Sequence, residues 1–324
     1  MKLIDIYSRK KKDMTSIEKV LFDSVLSENE FLRDASTHLI KAGGKRIRPV
    51  FVLLSGEFGT YHLDEMKLIA VPLELIHMAT LVHDDVIDDA DLRRGQLTVR
   101  SKWDNRVAMY TGDYIFAKAL HIITQIQQTK VHQIMSNAIV EMCIGEMEQI
   151  RYFFNVEQSI RDYLLRIKRK TALLIAISCQ LGAMVSNTPT AVSNKLYSFG
   201  YNVGMAFQIR DDILDLTGSE KQTGKPPGSD IRQGNITIPI IFALQNPTLK
   251  PRIIEELVKV KSLDGQTDVT NLIRLIIDSG GIEQADALSQ KYIQKATAAL
   301  ENLPELQAKK DLMNIAHFIG NRNY

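Results

Sequence analysis

The sequence has little cysteine, with only two residues of this type among 324. Cys143 and Cys179 lack the spacing of metal ligands, and each lies in apolar sequence with helical periodicity. Such residues are most simply buried free thiols of a protein in the reducing cytoplasm. We therefore expect no cysteine metal site, and we expect a cytoplasmic location.

The sequence also has little excess charge and no long apolar run. Forty lysines and arginines against 38 acidic residues leave a net charge of +2, which excludes a strong whole-protein attraction to nucleic acid or to an acidic membrane surface. No uninterrupted apolar stretch reaches about 18 residues, so no transmembrane helix is predicted. The basic residues at 9–12 precede no apolar segment, so we predict no secretory signal.

Alternating strand patterns are absent as well, and helical periodicity takes their place. No composition shift or linker divides the chain, so we predict one all-α domain over residues 1–324. Its helices are predicted, from the periodicity and the intervening turn residues, at 15–42, 45–54, 72–89, 105–128, 130–150, 158–186, 190–217, 236–245 and 250–320. The last segment has breaks predicted near Gly265 and Gly280, and a loop rich in glycine and proline fills 217–234.

Two short segments concentrate acidic residues. The first carries five aspartates within eight residues, Asp84, Asp85, Asp88, Asp89 and Asp91. The second repeats the pattern Asp-Asp-x-x-Asp at 211–215, and both lie in predicted helices. Carboxylates this close repel one another unless cations lie between them, and Mg²⁺ is usually held by one or two carboxylates, waters and substrate phosphates. A solvated acidic helix end is the alternative interpretation for either segment alone.

Helix geometry places the acidic side chains of each segment on one face. On a helix of about 100° per residue, one stripe of the first segment carries His77, Asp84 and Asp88, with Asp85 beside it. One face of the second segment carries Gln208, Asp211, Asp212 and Asp215. Two such helices facing each other would hold several Mg²⁺ ions, with a diphosphate as their shared ligand. Two matching segments therefore favour a metal site over a solvated face.

Basic residues lie near both acidic segments. They are Lys45, Arg48, Arg93, Arg94, Lys168, Arg169, Lys170 and Lys225. Each alone has an ordinary interpretation, such as a solvated helix start or a surface stripe. Together they exceed what one diphosphate needs, and arginine suits phosphate because it can form bidentate hydrogen bonds. We therefore predict two anionic sites, one bridged through metal and one bound directly by basic side chains.

These features belong to a series of ordered motifs that resembles the trans-isoprenyl diphosphate synthases over nearly the whole chain. The motifs are Gly-Gly-Lys-Arg-x-Arg-Pro at 43–49, Asp-Asp-x-x-Asp at 84–88 and 211–215, Arg-Arg-Gly at 93–95, Gly-Asp at 112–113, Lys-Thr at 170–171 and Gly-Lys-Pro-x-Gly-x-Asp at 224–230. The segments 77–89 and 167–176 look most like the catalytic components of bacterial two-component heptaprenyl diphosphate synthases. One residue departs from the family pattern, since Asn235 stands where many relatives have lysine.

The resemblance implies long antiparallel helices around a deep central cavity (the isoprenoid synthase fold) and Mg²⁺-dependent condensation of an allylic diphosphate with isopentenyl diphosphate. It assigns three Mg²⁺ ions that bridge the diphosphate to Asp84, Asp88, Asp211 and Asp215. It assigns the allylic substrate to Arg93, Lys170, Thr171, Gln208 and Lys225, and isopentenyl diphosphate to Lys45, Arg48, His77 and Arg94. The catalytic residues that it implies are Asp84, Asp85, Asp88, Lys170, Asp211, Asp212 and Lys225.

The resemblance also bears on product and partner. Bulky residues just before the first acidic motif block the growing chain in this family, and here Ala79 and Thr80 leave its path open. This implies heptaprenyl diphosphate as the product, for a quinone side chain as in menaquinone biosynthesis, with farnesyl diphosphate as the primer. It further implies a heterodimer with a small non-catalytic subunit, and room for peripheral membrane association when the product is released.

Two other functions stay open at this point. Class I terpene cyclases share the fold and Asp-Asp-x-x-Asp, but their second metal motif usually mixes Asn, Ser or Thr and Glu, and they need no second diphosphate pocket. Non-catalytic regulatory subunits of prenyl synthase heterodimers typically lose one acidic motif, whereas this chain keeps both. For individual residues, His77 has a satisfied core histidine as its alternative interpretation, and Gln208 has a cap on a polar pocket.

Overall fold

Helices form nearly all the regular structure of the chain in a computed structural model that describes residues 3–220, 226–263 and 265–321. They span Leu3–Arg9, Lys11–Ser24, Glu30–Lys41, Ile47–Gly56, Leu63–Ile87, Val99–Lys102, Asn105–Ile123, Thr129–Arg151, Ile160–Ile167, Leu173–Val185, Thr190–Thr217, Ser229–Arg232, Ile238–Ala243, Lys250–Ser262, Thr270–Asp278, Gly281–Leu300 and Gln307–Gly320. A π-helical turn covers Lys168–Ala172, and two short antiparallel strands cover Leu92–Arg93 and Gln96–Leu97. The all-α prediction is confirmed.

Two compact units divide the chain, and each gathers segments that are distant in sequence. The first consists of Met1–Ser136, Ile177–Tyr197 and Asn302–Asn314. The second consists of Asn137–Ala176, Ser198–Glu301 and Ile315–Tyr324. The acidic motif at 84–88 belongs to the first unit, and the one at 211–215 belongs to the second. The prediction of one domain over residues 1–324 stays a prediction.

The helix Leu63–Ile87 carries the first acidic motif. Its predicted start at Pro72 is wrong, because the helix begins at Leu63 and Pro72 lies inside it. Proline lacks the N–H that would bond to the Leu68 carbonyl. Neighbouring side chains such as Ile69 and Leu73 are almost fully buried, and each contributes about 1.5–3 kcal/mol, which offsets the lost bond. By length and composition this helix could cross a membrane, but 67% of its apolar window is buried inside the structure, as in a core helix.

The helix Thr190–Thr217 carries the second acidic motif and has its predicted bounds. Its buried side chains recur every three to four residues at Met205, Ile209, Ile213 and Leu216, and they pack in the core of the second unit. The positions between them carry the motif. Packing of this apolar stripe therefore sets the directions in which the acidic side chains of the motif point.

Other predicted helices differ from the structure at their interruptions. The segment 250–320 breaks at 301–306 as well as at the two predicted places. The segment 158–186 contains the π-helical turn Lys168–Ala172. The hairpin at 92–97 was not predicted, because strands of two residues are too short to show alternation.

The two cysteines have different environments. Cys179 is buried as predicted, and burial raises the pKa of its thiol to about 12. Cys143 is exposed, so its predicted burial is wrong. It lies on a helix face shared with Val140 and Met147, whose side chains are also exposed. Apolar local sequence therefore does not place this face in a core.

Candidate functional site

The first acidic motif ends the helix Leu63–Ile87 in the first unit. Its middle aspartate, Asp85, is 2% exposed, whereas Asp84 and Asp88 are both partly exposed. The Asp88 N–H donates to the Asp84 carbonyl over 2.8 Å, and Asp89 follows with a φ of +49°. Left-handed backbone cannot continue a right-handed helix, so the helix stops directly after the motif. The middle carboxylate is thus directed inward, and the outer two lie nearer to solvent.

A two-residue hairpin loop positions the arginines that follow the motif. Arg94 and Gly95 form the loop, with φ values of +54° and +75°. Positive φ at both positions is what type I′ turns require. The Arg93 Nε donates to Asp85 Oδ1 over 2.8 Å, and a terminal nitrogen of the same guanidinium lies 2.5 Å from that oxygen. The structure therefore brings Arg93 and the middle aspartate together.

A small cleft beside the hairpin gathers charged and polar groups of the first unit. Its lining includes Gly43, Arg46, Glu74, His77, Asp85, Arg93 and Arg94. Burial, followed by the guanidinium groups of Arg48 and Arg94, lowers the pKa of His77 well below its usual value. His77 is therefore neutral near pH 7. The Arg94 guanidinium donates to the Gly43 carbonyl, which joins the hairpin to the glycine-rich turn.

Arg48 is the clearest sign that this region fits an anion. Its Nε is buried and has no hydrogen-bond partner in the part of the chain that the structure describes. Buried donors nearly always have a partner, and a guanidinium among other cations favours an anionic one. Burial and the nearby Arg94 lower the pKa of Arg48, against the carboxylate of Glu74. Lys45 is exposed, and its carbonyl accepts a hydrogen bond from the Tyr7 hydroxyl.

Sequence reasoning missed Arg46, which lies between two of the predicted anion-binding residues. Arg46 has a φ of +46° and 5% exposure. Its Nε donates to Glu18 over 2.8 Å, and its terminal nitrogens donate to Glu74 and to the Ile40 carbonyl, each over 3.2 Å. A buried guanidinium needs such partners, so Arg46 anchors the turn that carries its neighbours. Glu74 was the available signal, because it is the one charged residue in the apolar run 69–76.

The second acidic motif lies in the second unit and repeats the burial pattern of the first. Asp212, in the middle, is 3% exposed, whereas Asp211 is exposed and Asp215 is partly exposed. Burial and the carboxylate of Asp230 raise the pKa of Asp212 to about 7. The middle aspartate of each motif is therefore the one that the protein encloses.

Hydrogen bonds connect Asp212 to residues that were predicted to bind the allylic substrate. The Gln208 Nε2 donates to Asp212 Oδ1 over 2.8 Å, and the Thr171 Oγ1 donates to Gln208 Oε1 over 2.7 Å. The Tyr163 hydroxyl donates to Asp212 Oδ2 over 2.6 Å. The structure therefore brings together three predicted residues. It adds Tyr163, which no local motif marks in the sequence.

The predicted residue Lys170 lies in the π-helical turn Lys168–Ala172. Such turns usually occur as single interruptions of α-helices, and they are frequent at functional sites. The Lys170 Nζ donates to Glu146 Oε2 over 2.9 Å. The neighbouring Arg169 donates to Glu141 over 2.8 Å and so connects the turn to the helix that carries that glutamate. Arg169 and Lys170 both pair with glutamates of the helix Thr129–Arg151, and the role of Lys170 at the allylic substrate stays a prediction.

The loop after the second motif is tied back to the motif's last aspartate. The Gly228 N–H donates to the Asp215 carbonyl over 2.7 Å, and the Asp230 N–H donates to the Asp215 carboxylate over 3.3 Å. The Asn235 N–H donates in turn to the Asp230 carbonyl over 2.8 Å, and Asn235 is buried. Asn235 therefore supports this loop. Lys225, predicted to contact the allylic substrate, lies outside the described residues.

Carboxylate oxygens are the donors that both motifs offer to a cation. Among the described residues, no three His, Cys, Asp or Glu side chains come close enough to hold a metal ion by themselves. Mg²⁺ usually takes one or two carboxylates and completes its shell with water and substrate phosphate. The buried Asp85 and Asp212 already accept hydrogen bonds from protein donors. The more exposed carboxylates of the two motifs are the outer aspartates, Asp84, Asp88, Asp211 and Asp215, and Asp215 also accepts a hydrogen bond from the Asp230 N–H.

Comparison with known proteins gives consistent matches along the chain. The polyprenyl synthetase family model matches residues 29–276. Heptaprenyl diphosphate synthase component 2 of Bacillus subtilis (strain 168) is 51% identical over 324 residues, which cover 100% of this chain and 92% of that protein. The crystal structure of heptaprenyl diphosphate synthase from Staphylococcus aureus is 40% identical with a TM-score of 0.90, covering 97% of this chain and 98% of that one.

A second solved structure adds a bound ligand to the comparison. The polyprenyl synthase from Caulobacter crescentus CB15, crystallised in complex with calcium and isoprenyl diphosphate, is 30% identical with a TM-score of 0.93. The match covers 100% of this chain and 98% of that chain.

Proposed function

The chain belongs to the polyprenyl synthetase family and is a prenyltransferase with the isoprenoid synthase fold, and from this premise we propose that it condenses isopentenyl diphosphate with an allylic diphosphate to build a long-chain all-trans polyprenyl diphosphate. One observation carries the proposal. Both Asp-Asp-x-x-Asp motifs enclose their middle aspartate and leave the outer two nearer to solvent. Within each motif, this leaves a pair of carboxylates accessible to cations of the kind that bind a diphosphate.

The isopentenyl diphosphate site is proposed at the guanidinium cluster of the first unit. Lys45, Arg48, His77 and Arg94 are its proposed contacts. The buried Arg48 Nε, which has no partner among the described residues, supports this, since a diphosphate oxygen would satisfy it. The neutral His77 can donate its one ring N–H to the anion without carrying a positive charge.

The allylic diphosphate site is proposed at the two acidic motifs with the basic residues near them. Three Mg²⁺ ions would bind the diphosphate there, and their proposed protein ligands are Asp84, Asp88, Asp211 and Asp215. Bound there, the metal would neutralise the charge that develops on the leaving group. The calcium and isoprenyl diphosphate in the Caulobacter crescentus relative support a divalent cation beside a prenyl substrate.

Side chains of this chain would act on the substrate in defined ways. Lys170 and Lys225 would bind the departing diphosphate as the allylic C–O bond breaks, because cations stabilise the negative charge that appears there. Thr171 and Gln208 would contact the same substrate, and Arg93 would reach it from the hairpin while Asp85 holds its Nε. The isopentenyl double bond then attacks the allylic carbon, and the proton lost from the new chain goes to the released diphosphate. The reaction would need water kept away from the allylic cation, because water would quench it.

The product proposed is heptaprenyl diphosphate, made from a farnesyl diphosphate primer for a quinone side chain. The relative from Bacillus subtilis is named as component 2 of a heptaprenyl diphosphate synthase, which supports both this product and a companion subunit. Burial of the apolar product away from water is favourable by about 0.8 kcal/mol of free energy for each CH₂ group. This favours a partner that covers the growing chain, and a membrane that accepts the product from an enzyme in the cytoplasm.

Incorporation of labelled isopentenyl diphosphate tests the proposal. The purified chain, alone and with a companion subunit, receives farnesyl diphosphate, labelled isopentenyl diphosphate and Mg²⁺. We expect a labelled long-chain prenyl diphosphate that disappears when EDTA removes the metal. The variants Asp84→Asn and Asp211→Asn should lose most of this activity, whereas Asp89→Asn, at an exposed aspartate paired with Arg100, should keep it. A cyclic hydrocarbon without incorporation of label would instead indicate a terpene cyclase.

A further inference from the structure

A fully buried tyrosine stands behind the second acidic motif. Tyr163 has 0% exposure, and its hydroxyl donates to Asp212 Oδ2. The other oxygen of that carboxylate accepts from Gln208, which in turn accepts from Thr171. These four residues form a continuous series of hydrogen bonds, the Tyr163 chain. It runs from the core of the second unit to the π-helical turn that carries Lys170.

The position of the phenol is itself fixed by the packing around it. The Arg166 guanidinium lies 5.6 Å from the centre of the Tyr163 ring, within the range of a cation–π contact. Arg166 is 4% exposed, and one of its terminal nitrogens donates to the Ile236 carbonyl over 3.0 Å. Tyr163 is therefore enclosed, with its ring beside Arg166 and its hydroxyl directed at Asp212. Inside a protein, a satisfied buried series of this kind specifies one arrangement of side chains.

The direction of each hydrogen bond in the Tyr163 chain follows from the carboxylate. Both Asp212 oxygens are acceptors, Oδ2 from the Tyr163 hydroxyl and Oδ1 from the Gln208 amide nitrogen. The amide oxygen of Gln208 then faces the Thr171 hydroxyl and takes its proton as a hydrogen bond. Tyr163 supplies the second donor that prevents the Asp212 carboxylate from rotating. Loss of the Tyr163 hydroxyl would thus change the orientation of Thr171 through Asp212 and Gln208, although Tyr163 makes no direct hydrogen bond to Thr171 in this series.

We propose that Tyr163 is a positioning residue for prenyl transfer, which acts through Asp212 and Gln208 to present Gln208 and Thr171 to the allylic diphosphate in one orientation. This role rests on the proposed function. The variant Tyr163→Phe keeps the ring and its packing but removes the donor to Asp212. The carboxylate can then rotate, and the Gln208 amide loses its fixed partner.

Steady-state kinetics of the full chain, with any companion subunit that the wild type needs, tests the positioning role. Removing groups that orient the residues of a site typically lowers activity by about 10- to 100-fold, and we expect kcat of Tyr163→Phe to fall by about that factor. The KM for isopentenyl diphosphate should stay unchanged, because its proposed contacts lie in the first unit. Tyr292→Phe, at a partly buried tyrosine of the second unit, is the matched control and should behave as the wild type. Wild-type kcat in Tyr163→Phe would overturn the proposal.

A double-mutant cycle separates positioning from a general loss of packing. Thr171→Val removes the far end of the Tyr163 chain, and the two residues make no direct hydrogen bond with each other in the series. If Tyr163 acts through the series, the double variant should be no slower than the slower single variant, because coupled residues are not additive. Fold losses in kcat that multiply would show that Tyr163 acts by another route and would overturn the proposal.

Two further outcomes are distinguished by the same assay. If circular dichroism shows that Tyr163→Phe does not fold, Asp212→Asn takes its place, since an amide cannot accept from both Tyr163 and Gln208 through equivalent oxygens. It should show the same fall in kcat with an unchanged KM for isopentenyl diphosphate, and wild-type kinetics would overturn the role. A wild-type chain that incorporates no isopentenyl diphosphate refutes the proposed function, and the role with it. An active wild type with an unaffected Tyr163→Phe refutes the role alone.

Discussion

Gly204 lies so close to the π-helical turn that a β-carbon at this position would come within 2.5 Å of the Ala172 α-carbon. On another side of the turn, a β-carbon at Gly145 would lie 2.7 Å from the Arg169 β-carbon. Two helices therefore approach the turn where each lacks a side chain. The two glycines therefore leave the room that the turn occupies in the packed interior of the second unit.

Replacement of Gly204 by alanine should disturb the site through the backbone. The atom in the way belongs to the main chain of Ala172, which cannot swing aside, so the turn must shift and carry Thr171 away from Gln208. Overpacking of this kind typically costs about 1–3 kcal/mol, and we expect Gly204→Ala to lose that much free energy of unfolding together with most of its activity. Urea unfolding and steady-state kinetics measure both. Asn194→Ala, at an exposed position of the same helix, should leave both unchanged, and a wild-type result for Gly204→Ala would contradict the close packing.

The two acidic motifs show how far the sequence could predict the site. Their shared pattern Asp-Asp-x-x-Asp indicated carboxylates on one helix face. It did not indicate that the middle aspartate of each motif is buried and accepts hydrogen bonds from protein donors. Asp85 accepts a hydrogen bond from Arg93, eight residues away. A partner this near in the sequence, just after the helix end, could in principle be predicted. Asp212 is held by Tyr163, 49 residues away, and only tertiary packing brings the two together.

The fold shows the same division between local and distant causes. The helix Thr190–Thr217 could be predicted to the residue because Asn187-Thr188-Pro189 precedes it and Gly218 follows it. The π-helical turn Lys168–Ala172 could not, because a wider hydrogen-bond step leaves the apolar pattern of the sequence almost unchanged. Pro72 led to a wrong prediction, because its local preference is for the first turn of a helix. Tertiary packing instead keeps it inside the helix Leu63–Ile87.

The two adjacent arginines of the hairpin should differ in what their loss does. Arg93→Gln removes the charged donor to the buried carboxylate of Asp85, and a hydrogen bond to a charged group typically contributes about 1.5–3 kcal/mol. Arg94 donates to the Gly43 carbonyl at the surface of the cleft, so Arg94→Gln should unfold at nearly the wild-type temperature. It should instead raise the KM for isopentenyl diphosphate. Thermal unfolding and kinetics of the two variants, side by side, test this, and equal losses of stability would contradict it.

His77 should make folding less favourable as the pH falls. Its folded-state pKa is lowered well below 6.5, first by burial and then by Arg48 and Arg94. Below about pH 6.5 the unfolded chain therefore binds a proton on His77 that the folded protein does not, and stability falls by at most about 1.4 kcal/mol per pH unit until the folded pKa is reached. Asp212, whose pKa is raised to about 7, contributes the opposite slope.

Comparison of variants isolates the contribution of His77. The free energy of unfolding is measured by urea titration at several pH values between about 7.5 and 5, where the unfolded-state histidine titrates. We expect His77→Gln to lose less stability over this range than the wild type, because glutamine does not titrate. His121→Gln, at an exposed histidine, should keep the wild-type slope. Parallel slopes for His77→Gln and the wild type would show that His77 is protonated equally in both states.

Ala79 is the position at which bulk should shorten the product. It lies on the first-motif helix with 1% exposure, one turn before the acidic residues, and Thr80 beside it donates its hydroxyl to the His77 carbonyl over 2.8 Å. If the growing prenyl chain passes this face, the ring in Ala79→Phe should block it, and the product distribution should move to shorter chains. The ring also overpacks a buried position at a cost of about 1–3 kcal/mol, so thermal unfolding is measured beside product length to separate the two effects. Thr80→Ser, which keeps the hydroxyl and adds no volume, should leave product length unchanged. A folded Ala79→Phe that still makes full-length product would show that the chain grows along another path.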